Sequence, residues 1–445
     1  MAESAKPMVR HRLIVRHPSR AQVLLDAGRL PQVVTEEQHT AEVDFINAAA
    51  ACLGVRTVVL RSIWHSDGAE GVVERVLELE ALDDGPLSSS ALSWCPITSA
   101  ELLENEPDRR AIRQFLAESS GVVVDGREWT RPGWFAATSA WIVSALAYAG
   151  LGQPEEIIQL RAWSTSTVLR VRTAAGDYYF KAVPKSGRQE VALTSYLAEH
   201  VPDVVSIVIA ADLERRWLLL AACRGRKLEQ VTDMALWERA ATRYGRLQVD
   251  CVGRADALRA LGCPSRDLAA LASSIAELAL DTGALGPERP EGLTETELRR
   301  FRALVPKLRQ RCEELAACGI PDSLEHGDLW PGNVICDAET CAVIDWEDAL
   351  IAHPFFSLAP LTAGLVGTGV GTAENVVRLQ RAYAVGFESL APPNRLRRAM
   401  ELALPLSFLD MAARYRRQRP SIVRQHPWMR DLVPQTIRLA LSHLP

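Results

Sequence analysis

The sequence lacks an apolar run long enough to cross a membrane. Its 445 residues contain no stretch of about eighteen uninterrupted apolar side chains, which is the length that a spanning helix needs. The N-terminus, MAESAKPMVRHRLIV, also lacks the long apolar core of a secretory signal. We therefore predict a cytoplasmic protein without a membrane partner.

An excess of positive charge is missing too. The formal net charge is −5 and the pI is near 6.1, so no broad positive field can follow a phosphate backbone, and we predict no nucleic-acid partner. No internal repeat or low-complexity tract is present. With 48% hydrophobic and 24% charged residues, the composition indicates a globular protein of roughly two or three packed domains.

Cysteines at the spacings of metal sites are likewise absent. The nine cysteines are scattered, odd in number and never arranged as C-x-x-C, and the nine histidines are dispersed. This pattern predicts reduced thiols, many of them small core residues, and it argues against a zinc site.

The first part of the chain, residues 1–125, predicts a small α+β domain. HRLIVRH and QVLLDA have strand-like apolar runs, AEVDFINAAAACLG has a helical pattern, and GVVERVLELEAL alternates like a half-buried strand. This order resembles a Nudix domain, whose helix carries an Arg and three Glu, and those Glu hold the metal ions. The residues that stand at those positions are Asn47, Ala48, Ala51 and Cys52. Because Ala cannot ligate magnesium, the resemblance implies a degenerate domain without that catalysis.

Three further segments follow. Residues 126–155 are predicted to form a linker and a docking helix, because a Pro-Gly pair precedes an apolar-periodic run. Residues 156–224 are predicted to begin with a hairpin, because two strand-like runs, STVLRVRT and YYFKAV, are joined by the Gly-containing turn AAGD. A helix at RQEVALTSYLAEH and two more strands, at VVSIVIA and RWLLLAA, are predicted to follow. Residues 225–445 are predicted to be mainly helical, with one β-like insertion, SLEHGDLWPGNVICDAETCAVIDWEDA.

The insertion holds the pattern H-x-D-x-x-x-x-N, formed by His326, Asp328 and Asn333, and a short hairpin that ends in Asp345. Phosphoryl transfer needs such a set, because it requires a hydroxyl aligned with the γ-phosphate and metal ions that neutralise charge. Asp328 would accept or orient the hydroxyl proton, and Asn333 and Asp345 would supply oxygen ligands to Mg²⁺. His326 is predicted to brace the loop.

The stretches HGDLWPGNVICD and VIDWEDA resemble the catalytic and metal-binding segments of the aminoglycoside phosphotransferase family, the small-molecule branch of the protein-kinase-like fold. The resemblance covers roughly residues 156–445. It implies an α+β, bilobal fold with a small β-rich N-lobe and a helical C-lobe. It also implies transfer of the γ-phosphoryl group of ATP or GTP to a hydroxyl of a sugar, amino alcohol, antibiotic or other small metabolite.

The resemblance implies a nucleotide site as well. Lys181, in the strand YYFKAV, would pair the α- and β-phosphates, and Glu190, early in the next helix, would hold that lysine. The segment LLLAACRGRKL resembles the hinge, where backbone atoms of Ala222 or Cys223 would meet the base.

The glycine-rich loop of protein kinases is missing. RAWSTSTVLRV takes its place, and the resemblance implies that hydroxyl and backbone donors of Ser164, Thr165 and Ser166 cap the phosphates. An A-P-E segment and a long loop after Asp345 are also absent, which favours a small substrate over a peptide.

The C-terminal segment is strongly basic. Residues 378–445 contain twelve Arg and only four acids, Glu388, Glu401, Asp410 and Asp431. An acid-lined pocket suits a polycationic acceptor, so this composition favours a neutral or anionic alcohol.

The alternatives are a nucleotide-binding regulatory pseudokinase, a protein kinase and a Nudix hydrolase with an appended lobe. A pseudokinase has no chemical need for Asp328, Asn333 and Asp345 together, and the Nudix hydrolase lacks its glutamates. ATP hydrolysis without an acceptor would separate a kinase from a regulator.

Overall fold

The chain folds into two compact units. The structure, a computed structural model, describes residues 8–36, 43, 46–47, 50–51, 53–67, 72–100, 103–119, 127–417 and 427–444. One unit comprises residues 1–186 and 209–221, and the other comprises residues 187–208 and 222–445. The first is rich in sheet and the second is mainly helical. The predicted α+β class, with a sheet-rich N-terminal part and a helical C-terminal part, is confirmed.

The first unit begins with a six-stranded sheet. Its strands are β1 (Met8–Arg16), β2 (Gln22–Asp26), β3 (Gln32–Glu36), β4 (Thr57–Asp67), β5 (Val72–Ala81) and β6 (Leu92–Pro96). They are ordered β4-β5-β1-β2-β6, with β3 also pairing with β1. β1 and β5 run parallel, and the other pairs of this sheet described by register are antiparallel. β3, β4 and β6 were not predicted from the sequence.

Alternation along β1 gives this sheet two apolar faces. Leu13 and Val15 pack into one cluster, and Ile14 packs into the other together with Ile112 and Phe115. The helices that follow the sheet are α1 (Ile97–Ala100), α2 (Glu106–Ser119) and α3 (Trp134–Tyr148).

The helix predicted at AEVDFINAAAACLG is described only in part. Val43, Ile46, Asn47, Ala50 and Ala51 are helical, whereas Ala48 and Cys52 lie outside the described residues. The small α+β domain with a degenerate Nudix-like helix stays a prediction.

A second, five-stranded sheet belongs to the first unit. Its strands are β7 (Pro154–Ala162), β8 (Thr167–Thr173), β9 (Gly176–Ala182), β10 (Val208–Asp212) and β11 (Trp217–Ala221), in the order β10-β11-β9-β8-β7. The predicted β8–β9 hairpin is confirmed. Helix α3, the predicted docking helix, packs on this sheet through an aromatic cluster: the ring centroids of Trp134 and Phe180 are 6.0 Å apart, and those of Phe180 and Trp217 are 5.6 Å apart.

Gln159 joins the two sheets of the first unit. Its side chain, 2% exposed, lies in β7. The Oε1 atom accepts a hydrogen bond from the Val59 amide at 2.8 Å, and Nε2 donates to the Val59 carbonyl at 2.9 Å. A primary amide thus satisfies both backbone groups of one residue of β4.

The four-segment division of the chain at 125, 155 and 224 stays a prediction.

The second unit contains most of the helices. They are α4 (Arg188–His200), α5 (Met234–Cys251), α6 (Ala255–Ala260), α7 (Leu268–Leu280), α8 (Thr282–Leu285), α9 (Glu295–Ala317), α10 (Leu358–Gly367), α11 (Ala373–Ala384), α12 (Pro393–Arg416) and α13 (Leu432–Ser442). The helices predicted near 188–200, 266–280, 296–318, 374–390 and 396–417 are confirmed within a few residues, although α11 ends before 390. Within the described ranges, no helix combines the length and apolar character that a membrane crossing requires.

Two small sheets interrupt the helices. β12 (Arg226–Lys227), β14 (Val334–Cys336) and β15 (Cys341–Val343) form one, and β13 (Ser323–Glu325) and β16 (Leu350–Ala352) form the other. The hairpin predicted from NVICDAETCAVID is confirmed as β14–β15.

The prediction of reduced thiols was wrong for one pair. Cys336 and Cys341 face each other across the β14–β15 hairpin with a Cα–Cα distance of 4.2 Å and form a disulfide. A hairpin places residues five apart side by side, which a search for C-x-x-C spacing does not detect. The other cysteines of the described ranges are free thiols.

Candidate active site

The candidate catalytic loop begins after β13 with a glycine in an unusual conformation. Gly327 has φ +84°, and a Cβ atom built there would lie 2.2 Å from the carbonyl oxygen of Asp348. Only a residue without a side chain fits this approach of two backbones. The loop and the segment that follows β15 are therefore in direct contact.

His326 holds the two segments from the inside. It is fully buried, and its Nδ1 accepts a hydrogen bond from the Asp328 amide at 3.2 Å. The proton of a neutral imidazole must then be on Nε2, which donates to the Ile344 carbonyl at 3.0 Å. This is the bracing role expected from the sequence.

Asn333 is directed at Asp328. Its Nδ2 donates to the Asp328 carbonyl at 2.9 Å and to the carboxylate Oδ2 at 3.2 Å. The carbonyl of Asn333 accepts from the Ile344 amide at 3.0 Å, so the start of β14 is paired with the residue before Asp345. Of the predicted site residues, Asp328, Asn333 and Asp345 thus lie together on one loop and one hairpin of the second unit.

Asp345 belongs to a group of three carboxylates. Its backbone is left-handed, with φ +70°, a conformation that costs a non-glycine residue about 1–3 kcal/mol and that is concentrated at functional sites. Glu190, Asp345 and Glu347 each contribute one carboxylate oxygen to the group, and these three oxygens lie within 4.8 Å of one another. Hard oxygen donors of this kind suit Mg²⁺.

Glu347 was missed by the sequence reasoning, and Glu190 was assigned another role. The Gln189 side chain donates to the Glu347 carbonyl at 2.6 Å, so the start of α4 is held against the turn Trp346–Asp348. The signal available was the acid two residues after Asp345 in VIDWEDA, where protein kinases have glycine.

Negative charge accumulates around Asp328. Burial raises the pKa of Asp328 to about 7, and the nearby carboxylates of Asp348 and Asp345 add to the increase. Arg414 and the hydrogen bond from Asn333 act in the opposite direction. A carboxyl with this pKa can exchange a proton near neutral pH, as a general base requires.

The segment that resembles a hinge lies beside the hairpin. Cys223 forms a hydrogen bond between its Sγ and the Ser206 Oγ at 2.8 Å, and burial raises the pKa of its thiol. Gly225, with φ +105°, passes so close to Cys336 that a Cβ would meet the Cys336 carbonyl oxygen at 2.1 Å. Ala222 is exposed.

The remaining predicted residues lie in the first unit. Lys181 is 8% exposed, in β9 between Val168 of β8 and Leu218 of β11. Ser164, Thr165 and Ser166 form the turn between β7 and β8, which the Trp163 amide closes by donating to the Ser166 carbonyl at 2.8 Å. The pairing of Lys181 with Glu190 joins residues of different units and stays a prediction.

The sequence model of the phosphotransferase enzyme family matches residues 156–393, more than half of the chain. The chain belongs to this family. It accordingly has the protein-kinase-like class of α+β fold that its motifs indicated, and the matched residues include the candidate catalytic loop, the hairpin and β9.

Solved structures give further likenesses. A choline/ethanolamine kinase family protein from Mesorhizobium loti is 16% identical with a TM-score of 0.48, and the match covers 70% of this chain and 94% of that one. Choline kinase from Cryptosporidium parvum is 14% identical with a TM-score of 0.47, and the match covers 65% of this chain and 88% of that one. An aminoglycoside phosphotransferase from Streptomyces rimosus, crystallised with ADP and streptomycin, is 21% identical with a TM-score of 0.39. This match covers 60% of this chain and 97% of that one. No curated protein matches the sequence at a significant level.

A buried hydrogen-bond chain runs beneath the candidate catalytic loop. The His326 amide donates to the Tyr244 hydroxyl at 3.1 Å, this hydroxyl is 2.7 Å from the Ser357 Oγ, and Ser357 donates to the Glu325 Oε1 at 2.8 Å. Burial raises the pKa of Glu325 from 4.5 to about 7. The carboxyl directly before the HGD motif is therefore held in a site that favours its neutral form.

We predict that Gly327→Ala destabilises the fold and removes activity. The left-handed backbone alone costs about 1–3 kcal/mol, and the added Cβ also collides with the backbone of Asp348, which has to move. Thermal unfolding and turnover measure the two effects.

Gly319→Ala is the matched control. Gly319 also has a positive φ, +67°, but in the described part of the chain no heavy atom beyond its neighbours lies within 4 Å of a Cβ built there. We expect only the backbone cost of about 1–3 kcal/mol for this variant. Equal destabilisation of the two variants would contradict a contact between Gly327 and Asp348.

We predict that Glu325 makes folding stability fall as the pH rises. Its pKa is higher in the folded chain than its ordinary value, so its favourable contribution is full below pH about 4.5 and is lost as the pH rises through about 7. Glu325→Gln keeps a neutral side chain at every pH. Relative to the parent chain, this variant should gain stability between about pH 5 and about pH 8.

Denaturant titrations at the two pH values measure this difference. Glu313→Gln, on the exposed side of α9, is the control and should show the pH dependence of the parent. An identical pH dependence for Glu325→Gln and the parent would mean that Glu325 does not titrate in this range.

Proposed function

We propose that this chain transfers the γ-phosphoryl group of ATP, or of GTP, to a hydroxyl group of a small molecule such as a sugar, amino alcohol, antibiotic or other metabolite. The observation that carries the proposal is the arrangement of Asp328, Asn333 and Asp345 on one loop and one hairpin. Asn333 donates to the Asp328 carboxylate, and its backbone pairs with the residue before Asp345.

Asp328 is the proposed base. The acceptor oxygen attacks the γ-phosphorus, its proton passes to the Asp328 carboxylate, and the bond from the γ-phosphorus to the β,γ-bridging oxygen breaks. The products are the phosphorylated acceptor and the nucleoside diphosphate. The hydrogen bond from Asn333 fixes the orientation of Asp328, which aligns the acceptor before reaction.

The carboxylates near Asp345 fit a divalent cation. Glu190, Asp345 and Glu347 offer oxygens that are close enough to share one ion, and the Asn333 side chain offers an amide oxygen. We propose Asn333 and Asp345 as Mg²⁺ ligands, with Glu347 as a further candidate. Bound there, the ion would supply positive charge to the phosphate oxygens.

The proposed nucleotide site comprises six further positions and the buried Glu190. Lys181 is proposed to contact the phosphates and Glu190 to hold it, and backbone atoms of Ala222 or Cys223 to meet the base. Among the described residues, no hydrogen-bond partner is present for the buried Oγ atoms of Ser164 and Ser166. This supports a role for the Ser164–Ser166 turn in binding a ligand, because buried hydroxyls are normally paired.

The length of the segment after Asp345 favours a small acceptor over a protein. All of residues 346–367 are described, and they consist of short turns, β16 and α10, which leaves no long loop to serve as a platform for a peptide.

The basic composition of residues 378–445 gives less support to an anionic acceptor than the sequence suggested. Among the arginines that the structure describes in this segment, six form ion pairs with acids, most of which lie outside the segment: Arg378, Arg398, Arg414, Arg416, Arg430 and Arg438. The class of acceptor is therefore best found by screening alcohols, sugars and antibiotics for acceptor-dependent ADP release.

We predict that Asp328→Asn abolishes acceptor-dependent ADP release while nucleotide binding is retained. Asparagine keeps the shape of the side chain but cannot accept the proton, and loss of a general base costs about 10²–10⁴ in rate. A coupled ADP assay and a nucleotide titration by calorimetry measure the two properties.

Asp256→Asn is the control for this substitution, because the Asp256 side chain is 98% exposed on α6. It should keep the turnover of the parent. Turnover by Asp328→Asn at the rate of the control would refute the proposed base. If the parent chain itself released no ADP with any acceptor, that result would point instead to the alternative of a regulator without catalysis.

We predict that Asp345→Ala removes the Mg²⁺ dependence of nucleotide binding and that Glu347→Gln weakens it, by about tenfold or more, because ligand oxygens are lost. Calorimetric titration of ADP with and without Mg²⁺ gives the measurement. Glu339→Gln, on the exposed turn of the same hairpin, is the control. Nucleotide affinity that is equally Mg²⁺-dependent in Asp345→Ala and in the control would exclude Asp345 as a ligand.

A further inference from the structure

The last turn of α12 contacts the catalytic loop through one arginine. Arg414 is 14% exposed, and its Nε forms an ion pair with the Asp410 Oδ2, one turn earlier, at 3.1 Å. Its Nη2 donates to the carbonyl oxygen of Gly327. This carbonyl belongs to the peptide bond that leads directly into Asp328. We refer to Arg414, Asp410 and Gly327 as the loop clamp.

Asp410 fixes the direction of the arginine. Its side chain is 2% exposed, and its second oxygen, Oδ1, forms an ion pair with Arg266. The Arg266 amide in turn donates to the Ile351 carbonyl at 2.8 Å. The Asp410 carboxylate is therefore held from two sides, and the planar guanidinium of Arg414 can reach the loop in one orientation.

The charge of Arg414 is matched by the acids near the loop. Burial alone would lower the pKa of Arg414, yet the carboxylates of Asp410, Asp348 and Glu325 raise it above its ordinary value. The guanidinium thus stays charged among several carboxylates that would otherwise repel one another.

The peptide between Gly327 and Asp328 is held on more than one side. Gly327 packs against the Asp348 carbonyl, where no Cβ would fit. The Asp328 amide donates to His326, and Arg414 binds the carbonyl of the same peptide unit. Rotation of this peptide, which would turn the Asp328 side chain, breaks at least one of these contacts.

We propose that Arg414 is a positioning residue for the phosphoryl transfer: by binding the Gly327 carbonyl, it orients the Asp328 carboxylate toward the acceptor hydroxyl. The inference rests on the function proposed above. A buried Arg–Asp pair alone would carry little weight, because such pairs are often neutral for stability. The contact that carries the inference is the one to the loop backbone, which an ion pair with Asp410 does not require.

The test compares Arg414→Gln and Arg414→Lys with Arg416→Gln. Arg416 is a suitable control because it lies two residues later, in the same turn, and pairs with Asp281 and Glu277. We expect Arg414→Gln to lower kcat by about tenfold to a hundredfold, since small misplacements of a catalytic group have such effects, with the KM for the nucleotide within about twofold. The control should keep the kcat of the parent.

Arg414→Lys separates positioning from mere loss of structure. The lysine ammonium group keeps the positive charge beside Asp410, but it lacks the planar, forked guanidinium that contacts both the Asp410 carboxylate and the Gly327 carbonyl. We expect a kcat between those of the parent and Arg414→Gln. A kcat in Arg414→Gln equal to that of Arg416→Gln would overturn the proposal.

Hydrogen exchange gives a readout that does not depend on turnover. The amides of Asp328, Trp330 and Asn333 all donate within the loop, so a peptide that covers residues 326–333 reports its order. We expect exchange in this peptide to be about tenfold faster in Arg414→Gln than in Arg416→Gln. Unchanged exchange would overturn the loop clamp, whatever the activity.

The kinetic and the hydrogen-exchange measurements together distinguish failure of the proposed phosphotransfer from failure of the loop clamp. If the parent releases no ADP with any acceptor while Arg414→Gln exchanges faster, the loop clamp stands and the proposed phosphotransfer fails. If Arg414→Gln does not fold, Arg414→Lys takes its place in both arms. In that case a kcat and an exchange rate equal to those of the parent would overturn the proposal.

Discussion

The close passage of two backbones at Gly327 and Asp348 is the constraint on which the candidate site depends. The catalytic loop and the segment after the hairpin come from different small sheets, β13–β16 and β12–β14–β15. Their contact requires a residue with no Cβ and a positive φ. Once it is made, His326 can bridge the two segments, and Asn333 can face Asp328 while its backbone pairs with Ile344.

Features encoded locally could be predicted from the sequence. The β8–β9 hairpin follows from two apolar runs around a Gly-containing turn, and α4 follows from apolar residues at helical spacing. The β14–β15 hairpin, which carries Asn333 toward Asp345, was predicted for the same reason. These elements are specified by neighbouring residues, so no knowledge of the tertiary fold is needed to find them.

Features that depend on contacts between distant residues could not be predicted. The Arg414 contact with Gly327 spans 87 positions, and the grouping of Glu190 with Asp345 and Glu347 joins α4 to a turn far along the chain. The basic composition of the last segment was misleading for a related reason: Arg416 finds its acids, Asp281 and Glu277, in an earlier part of the chain. Counting charges in a window cannot reveal where their counter-charges lie.

The double hydrogen bond from Gln159 to Val59 has a consequence for the edge of the second sheet. β7 is an outermost strand of that sheet, and exposed outermost strands invite pairing with other chains. Gln159 reaches from this strand to β4 and so couples it to the N-terminal sheet. A truncated chain that starts after residue 126 would uncover this strand, and self-association would then obscure whatever the remaining residues do.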